Sequence, residues 1–267
     1  DPTSFLFMIQ PTWTYKPIDD EVVNCIASEF SLSNTIAKVM YLRGIRTRED
    51  SRHFFFYDTK NLHNPLLMED MEKAVHRLHQ QIESKKSILI FGDYDVDGTS
   101  GTALLYLFLK SLGVEVHYYI PDRENEGYGL SKKGIEYAKY IDANLLITCD
   151  CAITAFNEID FANELGIDVI ITDHHKPSYP QPNAVAILNP HQKDCSYPFK
   201  NLCGAGVVFK LATGLAKTIG KGKDELMEHS DLVSLGIAAD LVELKSENRI
   251  IVNEGLKRIQ NSSKPGL

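Results

Sequence analysis

Asp93, Asp95 and Asp97 stand at alternate positions directly after the apolar run 87–91 and lead straight into Gly98 and Thr99. Further along, Asp173-His174-His175 closes a second apolar run, 168–172. Carboxylates at the ends of buried strands are costly unless something neutralises them. A divalent cation does so, and an oxygen-rich donor set with a histidine suits Mn²⁺ or Mg²⁺ better than a metal that prefers thiolates. The chemistry this pairing supports is metal-dependent hydrolysis of a phosphoester.

Each cluster has a plainer reading. Asp93-x-Asp95-x-Asp97-Gly98 matches the opening of a calcium loop, but the bidentate Glu that loop needs is Leu104 here, and a strand-like run precedes it. Gly98 would allow close backbone approach, and Thr99-Ser100 at a helix start would hold a phosphate oxygen. Two adjacent histidines in a loop are often only solvated; following a buried strand, His174 reads as a ligand and His175 as a cation or proton donor toward phosphate. Asp150 ends the run 145–149 and reads as a ligand, a helix N-cap, or both. Asp240 lies in the apolar stretch 236–242, where an unpartnered carboxylate is costly, and reads as a ligand. These acids and the histidine pair suffice for two ions that would activate a water for in-line displacement. Arg123, as a phosphate clamp, and Tyr128-Gly129, as a stacking platform, sit in a loop after another strand; for them an exposed turn is the competing reading. His191 follows Asn189-Pro190, and its two readings, phosphate ligand or bystander, stay open.

The chain of 267 residues is 43% hydrophobic and 24% charged, as expected of a globular protein with a sizeable core. With 28 basic and 36 acidic residues it carries a net charge of −8, which argues against coating nucleic acid by bulk electrostatics but not against a local basic groove. Five cysteines without CxxC spacing read as reduced thiols in a cytoplasmic protein. No apolar run is long enough to cross a bilayer, and no membrane partner is expected. The opening 1–8 has neither an initiator Met nor a basic leader, so Met8 is a candidate start.

The elements that must position these residues follow from periodicity. Residues 18–56 carry helical spacing, with a helix start at Thr47 and Asp50 three residues on. Asn64-Pro65 is a turn and 71–84 a helix. From 87 onward, strand-like runs (87–91, 115–120, 144–148, 168–172, 184–188) alternate with helical stretches (99–112, 131–141, 154–165). This predicts an α/β fold: a parallel five- or six-stranded sheet flanked by helices, with a helical N-terminal lead-in. Asp93–Asp97, Asp150 and Asp173–His175 should then converge on one rim. Beyond them the pattern gives a Gly-rich turn at 203–206, a helix to about 219, a last helix over 224–238, and helical character again over 250–259. The expected division is a lead-in over 1–84, a catalytic domain over 85–243 and a helical connector over 244–267.

The segments 91–99, 126–131, 171–175, 204–210 and 238–242 together resemble the DHH phosphoesterase superfamily, and within it the RecJ-type single-strand-specific 5′→3′ exonucleases; the likeness runs from about Tyr15 to the end. The resemblance implies that Asp93, Asp95, Asp97, Asp150, His174 and Asp240 hold two Mn²⁺ or Mg²⁺ ions, with His175, Asp95 and Asp97 in the catalytic step. Arg123, Tyr128, Gly129, His191, Gly204 and Gly206 become the candidate substrate- or phosphate-binding residues. It implies hydrolysis of single-stranded nucleic acid, DNA in preference to RNA, in repair and recombination, with a helicase or single-strand-binding protein as candidate partner. Two departures stand out. Ala152 occupies a place where the family usually has Gly, which would cost about 1 kcal/mol if that position needs a positive φ. The chain also stops where the family continues into a DHH-associated domain and an oligonucleotide-binding fold. Competing expectations are a DHH phosphodiesterase for oligoribonucleotides or cyclic dinucleotides, and a catalytically silent DHH scaffold. A pyrophosphatase of the superfamily is disfavoured by Phe91, where a histidine would be needed.

Overall fold

The computed structural model describes residues 12–267, so the candidate start at Met8 lies outside the described residues. The chain forms two compact units, one ending at Tyr57 and the other spanning Asp58–Leu267.

The first unit is helical. Helices α1 (Asp20–Glu29), α2 (Asn34–Leu42) and α3 (Arg48–Phe55) are N-capped by Asp19, Ser33 and Thr47. Thr47 and Asp50 form the reciprocal capping box that their spacing predicts. Val23, Ile26, Ala27, Ala37 and Met40 make a small core, with Phe30 stacked on Phe55 at 5.3 Å. Ile36 and Val39, which share the apolar periodicity, are exposed instead, because α2 turns Ala37 and Met40 inward.

The second unit is built on a sheet. In chain order it contains α4 (Met71–Glu83), β1 (Ile88–Gly92), α5 (Val96–Ser111), β2 (Val116–Tyr119), α6 (Lys132–Tyr140), β3 (Leu145–Cys149), α7 (Phe156–Glu164), β4 (Asp168–Thr172) and β5 (Ala186–Leu188). Then follow α8 (Gly204–Thr218), α9 (Lys223–Met227), α10 (Ser230–Ala239) and α11 (Ser246–Ile259). The five strands are all parallel, in the order β2-β1-β3-β4-β5. Side chains alternate between two cores, as a pleated strand requires. Ile88, Ile90, Leu145, Ile147 and Ile170 face the larger core with α4, α5, α8 and α10. Leu89, Phe91, Leu146, Val169 and Ile171 face the smaller one with α6 and α7. Among the described residues no helix is long and apolar enough to cross a membrane.

Register sets the rim. Gly92 pairs with Cys149, Cys149 with Thr172 and Thr172 with Leu188. The next residue of each strand therefore falls in one row: Asp93, Asp150, Asp173 and Asn189. Backbone hydrogen bonds carry the row one step past the sheet, Asp93 N to Cys149 O, Asp150 N to Thr172 O and Asp173 N to Leu188 O. Because β1 is followed in space by β2 on one side and β3 on the other, Asp93 and Asp150 flank the switch point in strand order.

Several expectations need correction. Helix α4 falls in the sheet-bearing unit, not in a lead-in ending at 84, because Met71, Ala74, Val75 and Leu78 are buried in the larger core. The stretch 244–267 likewise belongs to that unit: α11 buries Ile251 in the same core, and Gly255 lets it approach Ser230 and Ser234 of α10. The supposed Gly-rich turn at 203–206 is the first turn of α8, capped by Cys203. The single helix expected over 224–238 is two, α9 and α10, separated by a turn in which His229 N donates to Leu226 O.

Candidate metal centre

Asp93 follows β1, and its neighbourhood is tight. A Cβ on Gly98 would fall 2.7 Å from the Asp93 backbone, so the close approach expected of that glycine is real. Asp95 is the exposed N-cap of α5, its Oδ1 accepting from Gly98 N at 2.9 Å. Asp97, in the first turn of the helix, is buried and accepts from the backbone N–H groups of Gly204 (2.5 Å) and Ala205 (2.9 Å) at the start of α8. The positive end of α8 is thus spent on a carboxylate of the chain itself. The N–H groups of Gly204 and Gly206, expected at a phosphate, have partners within the chain. Gly204 gives its N–H to Asp97 and leaves room for Asp150, whose side chain a Cβ there would overlap, while Gly206 N donates to Cys203 Sγ. The Thr99 hydroxyl donates to Asp95 O inside α5.

Asp150 lies in the turn after β3, which bends through two left-handed residues, Asp150 at φ +64° and Ala152 at φ +83°. The positive φ anticipated at Ala152 is therefore present, at a residue with a side chain. Ile153 N, just beyond the turn, donates to Asp173 Oδ2 at 3.0 Å. Asp173 Oδ1 accepts from the backbone N–H groups of His174 (2.7 Å) and His175 (3.0 Å) and from His175 Nδ1 (2.8 Å). Asp173 is almost wholly buried; burial alone would raise its pKa, but His175 outweighs it and holds the carboxyl below its usual value. In return the Asp173 hydrogen bond, opposed by partial burial, lifts His175 to about 9.

Donor atoms gather around these residues in three overlapping trios: Asp93, Asp95 and Asp150; Asp97, His174 and Asp240; and Asp150, His174 and His175. Within each, the ligand atoms lie within 4.8 Å of one another. His174 Nε2 is 3.2 Å from Asp150 Oδ1, 3.6 Å from Asp240 Oδ2 and 3.9 Å from Asp97 Oδ2. Asp150 and His174 are therefore the hinge between the two outer trios. Asp240 is the C-cap of α10 and not buried as its apolar sequence neighbours suggest; its side chain is 33% exposed, because Ala238 and Ala239 face solvent too.

Two observations test whether this donor set fits a cation. Asp93 Oδ1 and Asp150 Oδ1 are buried without a hydrogen-bond partner, and His174 Nε2 approaches the latter to 3.2 Å as an ion-pair contact. Burial raises the pKa of Asp93, Asp97 and Asp150, helped at Asp93 and Asp150 by neighbouring carboxylates, and takes the last to about 7 despite the pull of His174. Orphaned oxygens on crowded carboxylates are what divalent ions complete.

Around the centre, Tyr128 OH reaches Asp150 O at 3.4 Å, and its ring meets His175 edge-on. Gly127 and Gly129 on either side have φ of +79° and +88°, which that turn requires. Arg123 lies over the Tyr94 ring at 5.4 Å, so its charge is stacked beside the acidic loop and not placed among the donor atoms. His191 is exposed and shares a cleft with His174. The sequence places Asp173 in a strand-end cluster with the two histidines but gives it no role of its own, and it does not single out Asn189; in the structure both orient the histidines and their loop. Asn189 donates to His175 O and accepts from His191 N.

The model of the DHH family, N-terminal domain, matches residues 87–237. The single-stranded-DNA-specific exonuclease RecJ of Bacillus subtilis strain 168 is 39% identical over 255 residues, 96% of this chain and 32% of that protein. A crystal structure of exonuclease RecJ bound to manganese is similar with a TM-score of 0.67 and 36% identity, over 73% of this chain and 49% of that one. RecJ of Thermus thermophilus in complex with Mn²⁺ is similar with a TM-score of 0.76 and 29% identity, over 92% of this chain and 34% of that one. The chain thus spans about a third to a half of the length of these relatives.

Proposed function

The chain belongs to the DHH family, and from that premise we propose that it is the metal-dependent phosphodiesterase core of a RecJ-like exonuclease acting on single-stranded DNA. The observation that carries this reading is the pair of donor trios joined through Asp150 and His174, with buried carboxylate oxygens lacking any partner. In this reading Asp93, Asp95, Asp97, Asp150, His174 and Asp240 hold two Mn²⁺ or Mg²⁺ ions. Bound there, such a pair supplies Lewis acidity toward water and toward the phosphoryl oxygens. The chain's own residues do the rest. Asp97 is fixed by α8, so its carboxylate keeps its orientation whatever the substrate does. His175 uses Nδ1 on Asp173, which leaves Nε2 as the ring atom that can donate a proton to a phosphate oxygen. Tyr128, half-exposed beside Asp150, offers a ring edge to the entering strand. The reading sets the protein in the cytoplasm, in DNA repair and recombination, with a helicase or single-strand-binding protein delivering the strand.

The test is Mn²⁺-dependent hydrolysis of a 5′-labelled single-stranded oligonucleotide beside a dinucleotide, with Asp95→Ala and His174→Ala as controls. Long-strand digestion abolished by both substitutions is the expected result. Cleavage of the dinucleotide alone would move the assignment to a small-substrate phosphodiesterase. Ion binding without turnover on either would leave a scaffold.

A further inference from the structure

Beside His174, on the side away from the Asp93 loop in sheet order, a cleft of about 530 Å³ opens, lined by His174, Lys176, Pro177, Tyr179, His191 and Lys193. Its walls are the loop after β4 and the loop after β5. Three hydrogen bonds stitch these loops together: Asn189 Nδ2 to His175 O at 2.8 Å, Lys193 N to the Tyr179 hydroxyl at 2.6 Å, and Gln181 Nε2 to Gln192 Oε1 at 3.1 Å. Asn189 is fully buried and also accepts from His191 N at 2.8 Å. The cleft is therefore shaped in advance of any occupant, which lowers the ordering cost of binding.

Its chemistry is selective. Two exposed lysines on a loop are ordinarily a solvated face. Here no carboxylate lines the cleft, and neither Lys176 nor Lys193 has an acidic partner among the described residues, although the chain as a whole carries a charge of −8. Tyr179 is 57% exposed, yet its hydroxyl is held by Lys193 N, which fixes the ring as a platform. The volume falls within the range of small-molecule sites and suits one nucleotide.

We propose that this cleft seats one nucleotide unit of the strand next to the phosphate being cut. Lys176 and Lys193 meet its non-reacting phosphate, Tyr179 stacks on its base, and His191 hydrogen-bonds the sugar or phosphate. The proposal rests on the phosphodiesterase reading above, since only the shared His174 makes this unit the neighbour of the reacting phosphate. It implies that a nucleoside monophosphate competes with the strand.

The experiment is calorimetric titration of the chain with thymidine 5′-monophosphate and, separately, inorganic phosphate, in the presence of Mn²⁺. The Lys176→Ala/Lys193→Ala double variant should bind the nucleotide about tenfold more weakly. Tyr179→Ala should lose a similar factor for the nucleotide and nothing for inorganic phosphate, while Tyr179→Phe, which keeps the ring but loses the hydroxyl that Lys193 N holds, should fall between wild type and Tyr179→Ala. Mn²⁺ titration of each variant checks that the fold and the metal centre survive. On a single strand the loss should fall on KM and not on kcat. No measurable nucleotide binding by wild type, or equal binding by wild type, the double variant and Tyr179→Ala, would overturn the proposal. The two readings fail separately. Lysine-dependent nucleotide binding without hydrolysis of any diester sinks the hydrolase and keeps the cleft; hydrolysis with lysine-independent binding does the reverse.

Discussion

Asp173 Oδ1 sits 2.8 Å from His175 Nδ1 and collects the backbone N–H groups of both histidines as well, so a single buried carboxylate sets the ring and the loop that carry the candidate chemistry. Asp173→Asn keeps the volume but loses the charge and one acceptor oxygen. Partners that orient ligands in this way are typically worth 10–100-fold in metal affinity or activity. We expect a fall of about that size in kcat on single-stranded DNA, with Mn²⁺ affinity reduced, and steady-state kinetics with metal titration measure both. Wild-type kcat in this variant would show that Asp173 has no such role.

Ala152 at φ +83° should be improved by the residue that tolerates that conformation. A left-handed alanine costs about 1–2 kcal/mol, part of which Gly gives back by being more flexible when unfolded. Ala152→Gly should stabilise the chain by about 0.5–1 kcal/mol and raise Tm by about 1–4 °C. Thermal unfolding followed by circular dichroism decides it, and a lower Tm would mean that the Ala152 methyl, buried against the smaller core, contributes more than the strain costs.

Lys210 and Glu247 form a buried ion pair, 1% and 0% exposed, at the inner face of α8. Glu247 also accepts from His63 N at 2.8 Å and from the Tyr197 hydroxyl at 2.5 Å. Lys210→Ala leaves a buried carboxylate without its cation, and breaking such a pair costs about 3–5 kcal/mol. Lys210→Met with Glu247→Leu should recover only part of this, because His63 N and Tyr197 OH then lose their acceptor. Urea unfolding of the single and double variants gives both numbers.

His229 faces Lys264, Asp231, Glu228 and Arg258, and its Nδ1 is buried without a hydrogen-bond partner. Burial, with Lys264 and Arg258 adding to it against the two acids, lowers its pKa. In the unfolded chain the ring has its ordinary pKa of about 6.5, so just below that pH the unfolded state binds more protons than the folded one. Its contribution is thus fully present above about pH 6.5 and is lost as pH falls through the folded value. The drop in Tm between about pH 7.5 and 5.5 should be smaller in His229→Gln than in wild type; equal drops would refute the assignment.

The strands were legible because parallel strands buried on both faces read as unbroken apolar runs, and an aspartate placed immediately after such a run must lie on the rim. Asp93, Asp150 and His174 followed directly from that. What could not be read was which partner each polar group finds. Gly204 and Asp97 are 107 positions apart, and nothing local distinguishes a glycine that cradles phosphate from one that hydrogen-bonds a distant carboxylate. Asp240 looked buried because its neighbours are apolar, but a helix end can leave alanines in solvent. Helix α4 shows an apolar stripe whichever core covers it, so its membership in the sheet-bearing unit came only from the contacts.

The candidate ligands are gathered from Asp93 after β1 through Asp240 at the end of α10, across parallel pairings that no hairpin can form. Each pairing closes a long loop before it gains a contact, so the rim is assembled slowly and from distant parts. On the ribosome, a nascent chain would present the first aspartates long before the cap of α10 has been synthesised. On the proposed function, ion uptake would then mark the moment when α10 docks, because one donor trio lacks Asp240 until that helix end is in place.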